Sequence, residues 1–244
     1  MRRQAAPHPA MYRSLDANKI IDTARALVRR IEERFPGSGL SKVAIELHTE
    51  ACNALETARW LARPQKFARA LAAGAILLLV AMLVSTFFVL NRKVELFSSV
   101  ADLFQGLDAA VNEVAVMGVA IFFLVGLEAR RKRARALRAL HVLRSMAHII
   151  DMHQLTKDPE RLSGSEPNTP SSPQRKMSSF ALTRYLDYCS EMLAIISKIA
   201  ALYVQDFNDP VTLNAVNEVQ DLTGGLSQKI SQKIMILDRM VAQA

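Results

Sequence analysis

Ala70 opens a run that reaches Leu90 without a single charged residue. About 21 residues at about 1.5 Å each make a helix of roughly 31 Å, the thickness of a bilayer's hydrocarbon core. A second apolar run, Val114 to Leu127, is shorter. It attains spanning length when Ala109, Ala110, Val111, Asn112 and Glu113 are included. The pattern predicts a transmembrane hairpin with spans at about 70–90 and 109–127, in preference to two buried core helices.

Lysine and arginine positions set the expected orientation. Arg59, Arg63, Lys66 and Arg69 precede the first span, and Arg130, Arg131, Lys132, Arg133, Arg135 and Arg138 follow the second. The connection offers only Arg92 and Lys93, beside Glu95, Asp102 and Asp108. Both termini are therefore expected in the cytoplasm. Positive charge beside a membrane attracts anionic headgroups, at about 1 kcal/mol per basic residue near the surface. The six residues from Arg130 to Arg138 are the expected anionic-lipid contacts.

The formal charge of +8 would also suit nucleic acid. That partner is not expected, because the basic residues flank spans and no zinc, helix-turn-helix or RNP-like motif is present. The start of the chain, Met1-Arg2-Arg3-Gln4-Ala5-Ala6-Pro7-His8-Pro9, lacks the apolar core of a secretory signal. Asp16, Asp22, Glu32 and Glu33 follow too soon for an acid-poor transit peptide. Cys52 and Cys189 lie far apart in helical patterns, and buried, reduced thiols are expected for a cytoplasmic location.

Outside the hairpin the apolar residues recur at helical spacing throughout, so the fold class is all-α with a cytoplasmic helical bundle or coiled coil. Residues 1–13 read as a disordered N-terminus and 14–66 as a helical hairpin. Its first helix is capped by Ser14, buries Ile20, Ala24, Leu27 and Ile31, and stops at Pro36-Gly37-Ser38-Gly39. Its second starts near Ser41, presents Ala44, Leu47, Ala51, Ala54 (or Leu55) and Ala58, and carries Trp60 towards the membrane interface. Pro64 interrupts the chain ahead of the first span. The transmembrane section is assigned to 67–129, with an amphipathic segment at 94–107 on the outer surface. From 130 to 158 the second span is expected to extend into the cytoplasm, with a seam of Ala136, Leu140, Leu143, Ala147 and Ile150. Residues 159–176 are polar and proline-rich, a flexible linker.

The C-terminal pair, 177–244, is the strongest helical signal. Tyr185, Tyr188, Met192, Ile195, Ile199 and Leu202 form one seam, and Leu186, Cys189, Leu193, Ile196, Ala200 and Tyr203 form another beside it. So wide a stripe requires more than one partner helix, hence a bundle. Asp209-Pro210 predicts a cap and a first helical residue for the last helix. Its inner face is read as Val219, Leu222, Leu226, Ile230, Leu237 and Val241, with Gly224-Gly225 marking a close crossing or, in preference, a break or kink.

Chemistry is sparse. His141 and His148 share a face near Asp151, a weak spacing for metal, so no metal or cofactor is expected. No GxSxG, Walker A, GxGxxG or CxxC motif occurs, and no catalytic residue is assigned. Asn112 and Glu113 are the polar residues at membrane depth, candidates for a pore mouth in an oligomer or for an interfacial cap.

Two stretches, Met152-His153-Gln154-Leu155-Thr156-Lys157-Asp158-Pro159 and Arg184-Tyr185-Leu186-Asp187-Tyr188-Cys189-Ser190-Glu191, together with the hairpin, resemble an uncharacterised family of bacterial inner-membrane proteins across roughly residues 40–240. That resemblance implies the bacterial inner membrane and no assigned activity. In architecture alone, the chain also looks like SLATT-type two-span effectors. The resulting expectation is a non-enzymatic, homo-oligomeric membrane-anchored interaction or scaffold module, with membrane lipids and a cytoplasmic protein as partners. An oligomeric pore is the alternative.

Overall fold

The computed structural model describes residues 14–64, 66–93, 100–157, 159 and 177–243. The expected N-terminal segment 1–13, nearly all of the expected linker and residues 94–99 of the expected outer segment lie outside them. The described residues are all-α: α1 (Ala17–Arg34), α2 (Gly39–Ala62), α3 (Lys66–Lys93), α4 (Val100–Val125), α5 (Leu127–Leu155), α6 (Ser179–Gln205) and α7 (Pro210–Gln243). They divide into two compact units, 1–62 with 135–244, and 63–134.

The first unit is a bundle of α1, α2, α6, α7 and the later part of α5. At its centre α6 buries every residue of both seams, and Leu182 as well. One helix can do this because partners surround it: α1 and α2 on one side, α7 on another, and the α5 seam Ala136, Leu140, Leu143, Ala147 and Ile150, all buried in the same core. Phe35, at the end of α1, sets its ring edge-on to Tyr185 and Tyr188, with centroids 5.5 and 6.3 Å away. Arg30 forks onto the Glu191 carboxylate, which raises the guanidinium pKa through that hydrogen bond.

Local chemistry places the helix ends. Asp16, two residues beyond the expected Ser14, is the α1 cap, its carboxylate accepting the Asn18 N–H at 2.9 Å. Gly37, with φ of 66°, makes the turn that ends the α1 region, a left-handed conformation that suits glycine. Ser38 Oγ then accepts the Ser41 N–H at 3.1 Å, and α2 begins already at Gly39. The His153 ring occupies the space beside Gly39: a β-carbon there would stand 2.5 Å from His153 Cε1. Asp209 caps α7, accepting both the N–H and the hydroxyl of Thr212.

The last turn of α5 is held by two other helices. Lys233 of α7 donates to the Gln154 carbonyl at 3.0 Å and to Gln154 Oε1 at 2.7 Å, while the Tyr185 hydroxyl of α6 reaches the His153 carbonyl at 3.4 Å. A cation at a helix C-terminus meets the negative end of the peptide dipoles. Cys189, one turn beyond Tyr185 on α6, is fully buried and free, and burial pushes its thiol up to about 12; Cys52 is half-buried and also free. Burial likewise raises the phenols of Tyr185 and Tyr203.

Two expectations for α7 are corrected. The helix passes through Gly224-Gly225 unbroken. Both glycines are exposed with open space around them, while Val219, Leu226 and Ile230 on either side are buried. Burial of that stripe outweighs roughly 1 kcal/mol of helix propensity per glycine. Thr223 adds hydrogen bonds to the Val219 and Gln220 carbonyls. Val241 continues the apolar periodicity but is 58% exposed.

The second unit is a hairpin in which α3 and α4 pack together. Ala72, Ile76, Leu79 and Leu83 form the more buried side of α3, and Glu113, Met117, Ala120, Ile121 and Leu124 that of α4. Their opposite faces are apolar and open: Leu77 is 70% exposed, and Leu78 and Phe122 are each 72% exposed. Residues 100–107 are the first turns of α4, continuous with the rest of that helix. Among the described residues no single helix is long and apolar enough to cross a membrane. One pair, Val111–Val125 with Leu127–Leu155, qualifies together, bent by 42° at its break, and Arg69–Ser85 is a shorter apolar helix.

Candidate functional site

The break between α4 and α5 is Gly126, and the residues around it make the best-defined polar arrangement of the hairpin. The backbone ladder continues across it: Gly126 N–H donates to the Phe122 carbonyl at 3.3 Å, and Arg130 N–H to the Gly126 carbonyl at 3.0 Å. The Arg130 side chain folds backwards over the glycine. Its Nη2 donates to the Phe123 carbonyl at 3.2 Å and the Phe122 carbonyl at 3.5 Å, and its guanidinium lies 4.7 Å from the Phe123 ring centroid. A β-carbon at position 126 would stand 2.7 Å from that Nη2. Glycine is therefore what lets the arginine serve carbonyls at the bend.

Glu128, at the start of α5, ties that helix to α3 at the same end of the hairpin. It accepts from Arg69 Nε at 2.6 Å and Arg69 Nη2 at 3.4 Å, and it pairs with Lys132 one turn on at 3.2 Å. The Lys132 side chain is 9% exposed and Glu128 is 15% exposed. An ammonium so far from water needs a counter-charge, and Glu128 supplies it.

The six expected lipid contacts thus separate. Lys132 is buried against Glu128, and Arg135 lies 4.6 Å over the Trp60 ring. Arg131 and Arg138 are exposed and Arg133 is half-buried. Arg130 and Arg133 share an open recess of about 510 Å³ with Phe122, Val125, Gly126 and Ala129. Asn112 and Glu113 are neighbours in sequence but not in environment: Asn112 is exposed, while Glu113 is half-buried on the side of α4 that carries Met117.

Sequence reasoning missed Glu128 and the role of Gly126. Glu128 stands four residues before Lys132, the spacing of an intrahelical ion pair, and is the one acid between Leu127 and Arg138. That signal was present but masked by the surrounding positive charge. Among the described residues no group of three or more His, Cys, Asp or Glu side chains could hold a metal ion. Comparison with protein-family models, curated proteins and solved structures gives no match to the chain.

Proposed function

We propose that this protein is a non-enzymatic, membrane-anchored helical interaction module of the bacterial inner membrane. In this reading α3 and α4 are a two-span hairpin, both termini are cytoplasmic, and the bundle is presented to a cytoplasmic protein partner. The observation that carries it is the contrast between the two units. The bundle buries most of its leucines and isoleucines, whereas the hairpin turns Leu77, Leu78, Phe87, Phe88, Phe122 and Phe123 outward together. Apolar surface of that extent marks a membrane or protein interface.

The register of the hairpin supports the same reading. Arg69 and Glu128 pair at one end. Counting about 20 residues along each helix from that pair, about 30 Å, arrives at Val89 and Asp108. Charges then stand at both boundaries of the hydrocarbon, with Glu113 about 7 Å inside the outer one. Gly74 and Gly118 are exposed with open space around them, the type of small-residue surface through which copies of a membrane helix pair, so the module is read as a homo-oligomer.

A pore is the second reading, favoured by one observation: Asn112 places an exposed amide on the apolar helix α4. Ion flux through liposomes, lost on Asn112→Ala or Glu113→Gln, selects the pore. Stable oligomers without flux discard it. For the anchor itself, alkaline carbonate washing should leave the full chain in the membrane pellet and detergent should release it. Release by carbonate would contradict insertion.

A further inference from the structure

We infer that the recess at Gly126 is a binding site for one anionic phospholipid, with the phosphate diester held by Arg130 and Arg133 and an acyl chain laid along Phe122 and Val125. The inference rests on the membrane reading and deepens it, turning a diffuse basic collar into a built site. Two arginines three residues apart share the recess wall, and its floor continues into the exposed apolar surface of α4. The ligand must therefore combine a strong anion with an apolar body, which a phospholipid does and inorganic phosphate does not. Guanidinium groups suit the anion because their planar fork of N–H donors matches phosphate oxygens.

The arrangement is more specific than surface charge. Arg130 is held in position by the Phe122 and Phe123 carbonyls and by the Phe123 ring, so one guanidinium is set at the recess before any lipid arrives. Five N–H donors belong to an arginine, and these carbonyl bonds use Nη2. Position 126 must lack a side chain for this placement. Arg131, equally basic and exposed, does not line the recess.

The test uses the full chain reconstituted into vesicles of phosphatidylcholine with a minority of phosphatidylglycerol, then re-extracted in detergent. Phospholipid retained on the intact protein is read by mass spectrometry. Phosphatidylglycerol should be retained selectively, and excess inorganic phosphate in the wash should not remove it. Arg130→Gln and Arg133→Gln should each lower retention about fivefold, the size expected for one basic residue near an anionic surface. Gly126→Ala, which keeps every charge, should lower it too, and Arg131→Gln should leave it unchanged. Equal loss in Arg131→Gln, unaltered retention in Gly126→Ala, or displacement by phosphate overturns the site. A chain that floats with vesicles yet retains no lipid selectively overturns the site alone. A chain that does not float with these vesicles overturns the membrane reading along with it.

Discussion

Lys233 of α7 closes the end of α5 by donating to Gln154 twice, at its carbonyl and at its side-chain oxygen. Gln154 is buried, and its amide Nε2 in turn donates to Asp151 at 2.6 Å. Charged hydrogen bonds to a buried partner contribute about 1.5–3 kcal/mol, more than an exposed ion pair does. Lys233→Met should therefore lower the unfolding free energy of the full chain in detergent by about 2 kcal/mol. Lys229→Met, on the exposed side of the same helix, should change it by less than about 0.5 kcal/mol. Denaturant midpoints followed by circular dichroism compare the two.

The unbroken α7 yields a stabilising substitution. Gly224 and Gly225 are helical, exposed and surrounded by open space. Alanine at each position should raise stability by about 0.5–1 kcal/mol, through helix propensity and a less flexible unfolded chain. A drop in melting temperature for either variant would contradict this reading of the two glycines.

Alkaline pH should weaken the bundle through Cys189. Its thiol is raised by burial from 9.0 to about 12, so the folded state keeps a proton that the unfolded state releases. The contribution is fully present below pH 9.0 and is lost as pH rises from there to about 12. Tyr185 and Tyr203 are raised in the same sense from 10.0, so they add to the loss at the upper part of that range. Cys189→Ala should remove the earliest part of the decline in a series of melting temperatures against pH. At pH 8 a thiol reagent should modify half-buried Cys52 well before Cys189.

Glu128 should matter more to the hairpin than either of its cationic partners. Glu128→Gln removes the carboxylate charge that pairs with the buried Lys132 side chain, and breaking such a pair costs about 3–5 kcal/mol. Arg69→Gln removes the more exposed partner and should cost about 1 kcal/mol or less. Thermal unfolding of the two variants in the same detergent reads the difference, and equal effects would contradict the assignment of Lys132 as the dependent charge.

The bundle was legible where burial has a period. All twelve residues of the two α6 seams are buried, as are the α1 residues Ile20, Ala24, Leu27 and Ile31, because a helix packed on several sides shows its stripe directly in sequence. Periodicity names a face without telling how far the partner reaches, which is why Val241 read as core and is exposed. Propensity misled at Gly224-Gly225, where tertiary packing prevails over a local cost. At the candidate site the basic collar read as six equivalent charges. Its differentiation depends on side-chain direction: Arg130 turns back over Gly126, Lys132 turns to Glu128, and Arg135 covers Trp60. No spacing rule encodes those choices.

The central claim is that α3 and α4 cross a membrane as a hairpin, and reporter topology tests it most directly. Alkaline phosphatase, active only outside the cytoplasm, fused after Leu96 in the full-length context should be active, and the same enzyme fused after Ala244 should be inactive. An inactive fusion after Leu96, with a cytoplasmic reporter active at that position, would contradict the two-span hairpin.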